Sequence, residues 1–237
     1  FSSQPMDYGP EYPDKRRTLM QTLWIIGNSG AARECFWLFR DMLSADAVLA
    51  SNMNFGGFLG WRGHEGDLKS LQDQYRGEAL EYPIAGNDVF VIAIGEPYLR
   101  EDVYLTMKQR DAKFFTLIHP WSDVTPSADC GEANVFQRGS TVFCDVKIGN
   151  ANYLNGAANI SHDASIGDYN FFGPYALVLG GCKVGSRNVV AVRSTLLANA
   201  RIGNDNIITP GSIVYKGCGD NRRMVGNPAL PMKQTTK

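Results

Sequence analysis

From Val124 to Gly219 the chain repeats every six residues, and that period constrains the fold more than any other feature. The first position of each hexad runs Val124, Cys130, Phe136, Val142, Ile148, Leu154 and onward to Ile208 and Val214, and all sixteen residues are apolar. With 44% of the chain apolar, such a run in one phase has a chance of about two in a million. The fifth position agrees independently: Ala128, Asn134, Ser140, Val146, Asn152 and their successors to Cys218 are small or Asn. Glycine holds the second position six times, at Gly131, Gly149, Gly167, Gly173, Gly185 and Gly203. An unbroken period of six suits neither an amphipathic helix nor a two-sided strand. It predicts a parallel β-helix in which each hexad is a short strand and a turn. The large residue points inward and the small one fits the corner. Asn at the corner is expected because it tolerates a left-handed backbone. Stacked coils close their hydrogen bonds on one another and leave edges only at the ends.

The repeats account for less than half of the 237 residues, leaving room for a second domain. A net charge of −1 gives no footprint for nucleic acid or another polyanion. No run approaches the roughly 18 apolar residues that a membrane span requires. Phe1–Lys15 is polar with three prolines and is expected to be an extension or tag, not a signal peptide. The five cysteines are odd in number and form no CxxC. They fit reduced thiols of a cytoplasmic protein, Cys130 inward, Cys182 and Cys218 at small corner positions.

Ahead of the repeats, Thr22–Ile26 reads as a buried strand, Gly27-Asn28-Ser29-Gly30 as a turn, and Ala31–Leu43 as a helix of apolar period. Strand, glycine turn and helix open a nucleotide-binding α/β unit, where glycines let backbone approach a phosphate and the helix N-terminus favours an anion. Further strands are expected at Ala47–Ala50, Asn54–Trp61, Asp88–Ile94 and Lys113–Ile118, with helices at His64–Tyr75 and Pro97–Arg110. Alternation of this kind predicts a small parallel, Rossmann-like sheet. The expected boundaries are 1–20 for the extension, 21–118 for the α/β domain, 119–219 for the β-helix and 220–237 for a tail.

Residues 21–237 resemble the bacterial nucleotide-sugar acetyltransferases that include sialic acid O-acyltransferase relatives. The segments that carry the resemblance are GNSGAARE (27–34), VFVIAIG (89–95) with Arg100, LIHPWSDVTPSA (117–128), LNGAANISHDASIGD (154–168) and VGNPA (225–229). Within that group the chain is most similar to enzymes that N-acetylate a UDP-4-amino-4,6-dideoxy sugar in bacillosamine synthesis. The resemblance implies a left-handed β-helix with coils of 18 residues. It implies a homotrimer with acetyl-CoA between neighbouring β-helices, the nucleotide sugar on the α/β domain, and no metal. Gly27, Asn28, Ser29 and Gly30 are the expected nucleotide-sugar contacts.

Acetyl transfer needs a base, and of the three histidines only His162 lies within the repeats. It holds an outward position, and one 18-residue coil later stand Gly180 and Gly181, which leave room for a thioester. An imidazole titrates near working pH, and a carboxylate at Asp163 would fix its tautomer. The resemblance adds Asn155 as a residue orienting the amine, Gly180 beside the thioester, and Lys216 near the coenzyme phosphates. Two departures stand out: Phe171 where relatives often carry a second histidine, and FLGW (58–61) where they often carry an acidic pair against the nucleotide. The expectation is therefore an acetyl-CoA-dependent N-acetyltransferase with His162 as base in a direct-attack ternary complex. The alternative is an O-acetyltransferase acting on a sialic-acid-like hydroxyl. A γ-class carbonic anhydrase needs three converging histidines, and a non-catalytic scaffold would tolerate loss of His162.

Overall fold

The computed structural model describes residues 20–64 and 66–232; the expected extension at 1–20 therefore lies almost wholly outside the described residues. The chain begins with a parallel four-stranded sheet: β1 (Gln21–Ile26), β2 (Met53–Gly60), β3 (Tyr75–Glu78) and β4 (Asp88–Ile92), in the order β3-β2-β1-β4. The order reverses between β1 and β4, so their C-terminal ends flank the crevice at which open α/β sheets bind ligands. Helix α1 (Gly30–Ala45) buries Ala32, Cys35, Phe36, Leu38 and Phe39 on one side of the sheet. Helix α3 (Pro97–Lys108) buries Val103, Tyr104 and Met107 on the other side, with proline at its start where no N–H is needed.

Three expectations fail here. Ala47–Ala50 is not a strand but part of a short helix α2 (Ala47–Asn52), because Asp46 caps it through Oδ1, accepting from the amides of Val48 (2.9 Å) and Leu49 (3.0 Å). Residues 64–75 form no continuous helix. A 3₁₀ turn covers Lys69–Gln74, and Tyr75 already belongs to β3. Gly66 lies so close to Asn28 that a Cβ would collide with its carbonyl oxygen, which ties this segment down as a loop. The last expected strand of the α/β sheet is divided. Phe114 bridges Phe90, whereas Leu117–Ile118 pairs with Val135–Phe136 as the first rung of the β-helix.

The β-helix has three parallel sheets built from two-residue strands. Sheet I runs from Leu117–Ile118 to Arg223–Val225 and ends in an antiparallel partner at Leu230–Pro231. Sheet II runs from Asp123–Val124 to Ile213–Val214, and sheet III from Asp129–Cys130 to Gly217–Cys218. Partners such as Lys147 and Ser165, or Phe171 and Val189, are 18 residues apart. The first-position residues from Phe136 to Val214 fill one continuous core.

The corner backbone differs from expectation in one respect. The left-handed residue is the fourth of the hexad, as at Asp145, Asp163, Tyr175 and Asn199 (φ 58–62°), not the fifth. Asn is chosen at the fifth for another reason. Asn134, Asn152, Asn170, Asn188 and Asn206 are buried and stacked, each amide oxygen accepting the next Asn's backbone N–H at 2.7–2.9 Å. The ladder satisfies polar groups that burial would otherwise leave unpaired.

The last coil is shorter. Arg201 pairs with Gly217, two residues ahead of the 18-residue register. Cys218 thus sits opposite Ile202 against the core, not at the small corner position expected for it. All five cysteines are free.

The α/β domain lies on sheet I and the corner between sheets III and I. Tyr153 and Phe171 stack on each other (5.7 Å between centroids) beneath it. Arg100, 1% exposed, donates from Nε to Ile94 O (2.8 Å) and from Nη2 to Gly95 O (2.7 Å). Its Nη1 donates to Ala151 O (3.1 Å) and Asn170 O (2.9 Å) in the β-helix. One buried guanidinium thus ties the end of β4 to two successive coils. Among the described residues, no helix is long and apolar enough to cross a membrane.

Candidate active site

Two features stand out, and they occupy different faces of the chain. The first is the crevice at the strand ends, a cavity of about 220 Å³ lined by Gly27, Asn28, Ser29, Trp61, Gly95 and Glu96 among others. Gly27 has φ +135°, and a Cβ there would stand 2.7 Å from Ala93 O, so β1 and β4 approach more closely than another residue permits. Asn28 donates from Nδ2 to His64 O (2.8 Å) and fixes the outer rim. Glu96 caps α3, accepting from Tyr98 N (3.1 Å) and Leu99 N (2.6 Å). Gly95-Glu96-Pro97 therefore repeats the strand–turn–helix design of residues 26–30. That was a signal in the sequence for the second crevice wall. Trp61 is 1% exposed and donates from Nε1 to Asp102 (3.0 Å), so it packs against α3 and only its edge borders the cavity.

The second feature is the corner between sheets II and III. There His162 stands outward, and its Nδ1 lies 2.8 Å from Asp163 Oδ2. With a carboxylate as partner, Nδ1 carries the proton and Nε2 keeps its lone pair. Asp163 takes the left-handed corner conformation (φ +60°), and its carboxylate turns back to the preceding ring. The imidazole lies flat over Gly180: a Cβ there would sit 2.6 Å from Cε1 and 2.7 Å from Nε2. Gly181 donates its N–H to His162 O (3.0 Å) and has φ +68°. On the acetyl-transfer reading that the resemblance implies, replacing Gly180 with valine should displace the ring and lower kcat/KM about 100-fold with the melting temperature nearly unchanged. A thiol-release assay paired with a thermal melt checks this.

Above the glycines the same corner carries Ala198 and, at the shortened top, exposed Lys216, whose carbonyl accepts from Arg201 N (2.9 Å). Lys216 is three coils above His162, about 14 Å at a strand spacing of ~4.8 Å.

Asn155 is elsewhere. It lies at the corner between sheets I and II, with Oδ1 accepting from Gly156 N (2.7 Å), and among the described residues no hydrogen bond joins it to His162. The face of sheet II separates the two. Nor do the histidines converge. His119 is 4% exposed and accepts at Nδ1 from Trp121 N (2.9 Å), leaving Nε2–H for Asp41 Oδ2 (3.0 Å). His64 borders the crevice.

No protein-family model matches the chain, and no curated protein does. Solved structures do. PerB from Caulobacter crescentus, in complex with CoA and GDP-perosamine, is 23% identical, with a TM-score of 0.77 over 90% of this chain and 98% of its own. The acetyltransferase domain of PglB from Neisseria gonorrhoeae, in complex with acetyl coenzyme A, is 19% identical, with a TM-score of 0.78 over 90% and 99%. WeeI from Acinetobacter baumannii is 19% identical, with a TM-score of 0.66 over 90% and 100%. The chain has their fold. It is an α/β domain followed by a left-handed parallel β-helix, as its repeats and the resemblance implied.

Proposed function

We propose that this chain is an acetyl-CoA-dependent N-acetyltransferase acting on the amino group of a nucleotide-linked amino sugar. A UDP-linked 4-amino-4,6-dideoxy sugar is the first candidate acceptor. The observation that carries the reading is His162 held by Asp163 over Gly180, a base with its free nitrogen facing a cleared wall. The fold shared with a GDP-perosamine-bound and an acetyl-coenzyme-A-bound protein supports it.

The thioester lies beside Gly180 and Gly181, and the ~14 Å climb to Lys216 suits an extended pantetheine arm with its phosphates at the ammonium. The amine nitrogen attacks the thioester carbonyl carbon. A C–N bond forms, the C–S bond breaks, and His162 Nε2 takes the proton that nitrogen sheds. The leaving thiolate takes up a proton to become free CoA thiol. Asp163 stabilises the imidazolium while it lasts.

A single copy keeps its crevice and Asn155 on one side of sheet II and His162 on the other. The site is therefore assembled by two copies in a homotrimer. The outer face of sheet II supports that reading: Leu177, Leu179, Leu197, Ile213 and Tyr215 lie there half-buried or exposed. Sheet III instead presents Lys147, Lys183 and Arg201 to solvent. Such an apolar face calls for a partner, and the identical face of a second copy is at hand in a cyclic assembly. Light scattering at micromolar concentration should give a trimer.

Subunit mixing tests the shared site. Trimers of His162→Asn and of Ser29→Trp, which blocks the crevice, should each be inactive. Co-expressed, they should regain about a quarter of wild-type acetyl transfer by random assortment. Mixed trimers without activity would place base and crevice in the same copy and overturn the composite site.

A further inference from the structure

A second cavity adjoins the crevice across the first turn of α1. It is a groove of about 510 Å³ along the outer side of that helix, and its walls include Arg33, Trp37, Lys69, Ser70, Gln137 and Arg138. The crevice ends at Ser29 and the groove begins at Gly30. The crevice alone falls below the roughly 300–1,000 Å³ usual for small-molecule sites, and the groove falls within that span. A nucleoside diphosphate sugar is long and three-part, and it cannot be held by the crevice alone.

Arg33 places a guanidinium at the junction between the two cavities. Arg33 folds back over the start of α1, its Nη2 3.7 Å from where a Cβ of Gly30 would be. Among the described residues, its Nε is the one buried side-chain nitrogen or oxygen with no hydrogen-bond partner, a state that an unfilled donor in a ligand site explains. Lys69, whose ammonium is paired with Asp67, and Ser70 line the same groove. Further along, Trp37 is 58% exposed, a large apolar face left open on the groove. Gln137 belongs to the hexad one coil below Asn155, in the same position, and donates from Nε2 to Tyr153 OH (2.8 Å). The groove therefore passes directly under the corner that carries Asn155.

Resting on the acetyltransferase reading above, we propose that this groove is the sugar subsite of the nucleotide-sugar acceptor, with Arg33 at the diphosphate and Trp37 against the sugar ring. The nucleoside fills the crevice, the diphosphate crosses the α1 turn, and the sugar lies along α1 with its amine toward Asn155. Charge-assisted hydrogen bonds from a guanidinium to phosphate oxygens and an indole face against a pyranose are the chemistry these residues offer.

Calorimetric titration of the trimer with UDP, GDP, GDP-perosamine and a UDP-linked 4-amino sugar separates the parts. Arg33→Met should weaken both the nucleoside diphosphate and the nucleotide sugar of the preferred base 10-fold or more. Trp37→Ala should weaken the nucleotide sugar about 10-fold and leave the nucleoside diphosphate within twofold. Both side chains lie on the outer side of α1, and thermal melts within about 2–3 °C of wild type would show the fold intact. Unchanged nucleotide-sugar binding in Trp37→Ala would take the sugar out of the groove, even with nucleotides bound normally. Unchanged nucleoside diphosphate binding in Arg33→Met would remove Arg33 from the diphosphate. A wild-type trimer that transfers acetyl groups yet binds none of these nucleotides would overturn the groove assignment while sparing the transferase. A trimer without transfer or binding would overturn both.

Discussion

Replacing His162 with asparagine should lower kcat for the proposed acetyl transfer by about 10²–10⁴ while the oligomeric state and the melting temperature stay as they are. Asparagine keeps a polar side chain over Gly180 and can still meet Asp163, but it has no basic nitrogen. The amine must then shed its proton to solvent, a loss of roughly 3–5 kcal/mol in barrier terms. Stability should barely move because the side chain is exposed in the single chain (63%) and its one polar partner is the adjacent residue; surface changes of this kind stay within about 0.5 kcal/mol. Steady-state kinetics with an equilibrium melt would show this split. A variant retaining most of its kcat would remove His162 as the base.

Arg100→Met should be costly in the opposite way, in stability first and activity second. The guanidinium is buried, has no carboxylate partner among the described residues, and gives its donors to four backbone carbonyls. Burial lowers its pKa to about 10, so it remains a cation at neutral pH. Methionine fills much of the same volume and leaves those carbonyls without that donor. Hydrogen bonds to a charged group contribute about 1.5–3 kcal/mol each, and the loss of several at one site should cost about 3–5 kcal/mol by urea denaturation. Lysine should rescue only part, because one ammonium cannot span carbonyls on both domains. Two of the four carbonyls belong to Ile94 and Gly95 on the crevice wall. What activity remains should therefore show a raised KM for the nucleotide sugar and an unchanged KM for acetyl-CoA. A stable variant with unaltered kinetics would show that Arg100 is not what holds the two domains together.

The β-helix was legible because each coil repeats one set of steric demands, and the sequence repeats with it. The inward row from Phe136 to Val214 follows from the period of six, and the Gly180 clearance beside His162 from the coil of 18 that the resemblance implies. Arg100 belongs to the segments that carry the resemblance, but no local pattern marks a guanidinium whose partners lie 51 and 70 residues away. The Asn row is plain in the sequence, but its cause is not. A corner preference and a buried hydrogen-bond column leave the same letter in the sequence, and only φ and burial separate them. At Ala47–Ala50 the residues suit strand or helix, and the Asp46 cap decided. The shortened last coil was invisible because Cys218 is small enough for the fifth position and apolar enough for the first.

The candidate site divided along similar lines. His162 and Asp163 are adjacent in the chain, and their contact is local. Asn155 is only seven residues away, yet a corner intervenes and turns it to another face. Spacing in a β-helix translates to a face only through the coil register, and sequence proximity across a corner is separation in space. The Arg33–Trp37 groove was missed for a related reason: its walls come from α1, the 3₁₀ turn and the lower coils, and no single stretch carries them.

The most direct test of the central claim is acetyl transfer itself, followed by thiol release from acetyl-CoA. The acceptors are UDP-, dTDP- and GDP-linked 4-amino sugars, with a free sialic acid as the hydroxyl acceptor, and the product linkage is determined by mass spectrometry and hydroxylamine sensitivity. The result expected is turnover of a nucleotide amino sugar to a hydroxylamine-stable amide, with the UDP sugar as the first candidate. Turnover of the sialic acid alone, to a hydroxylamine-labile ester, would contradict it and make the protein an O-acetyltransferase.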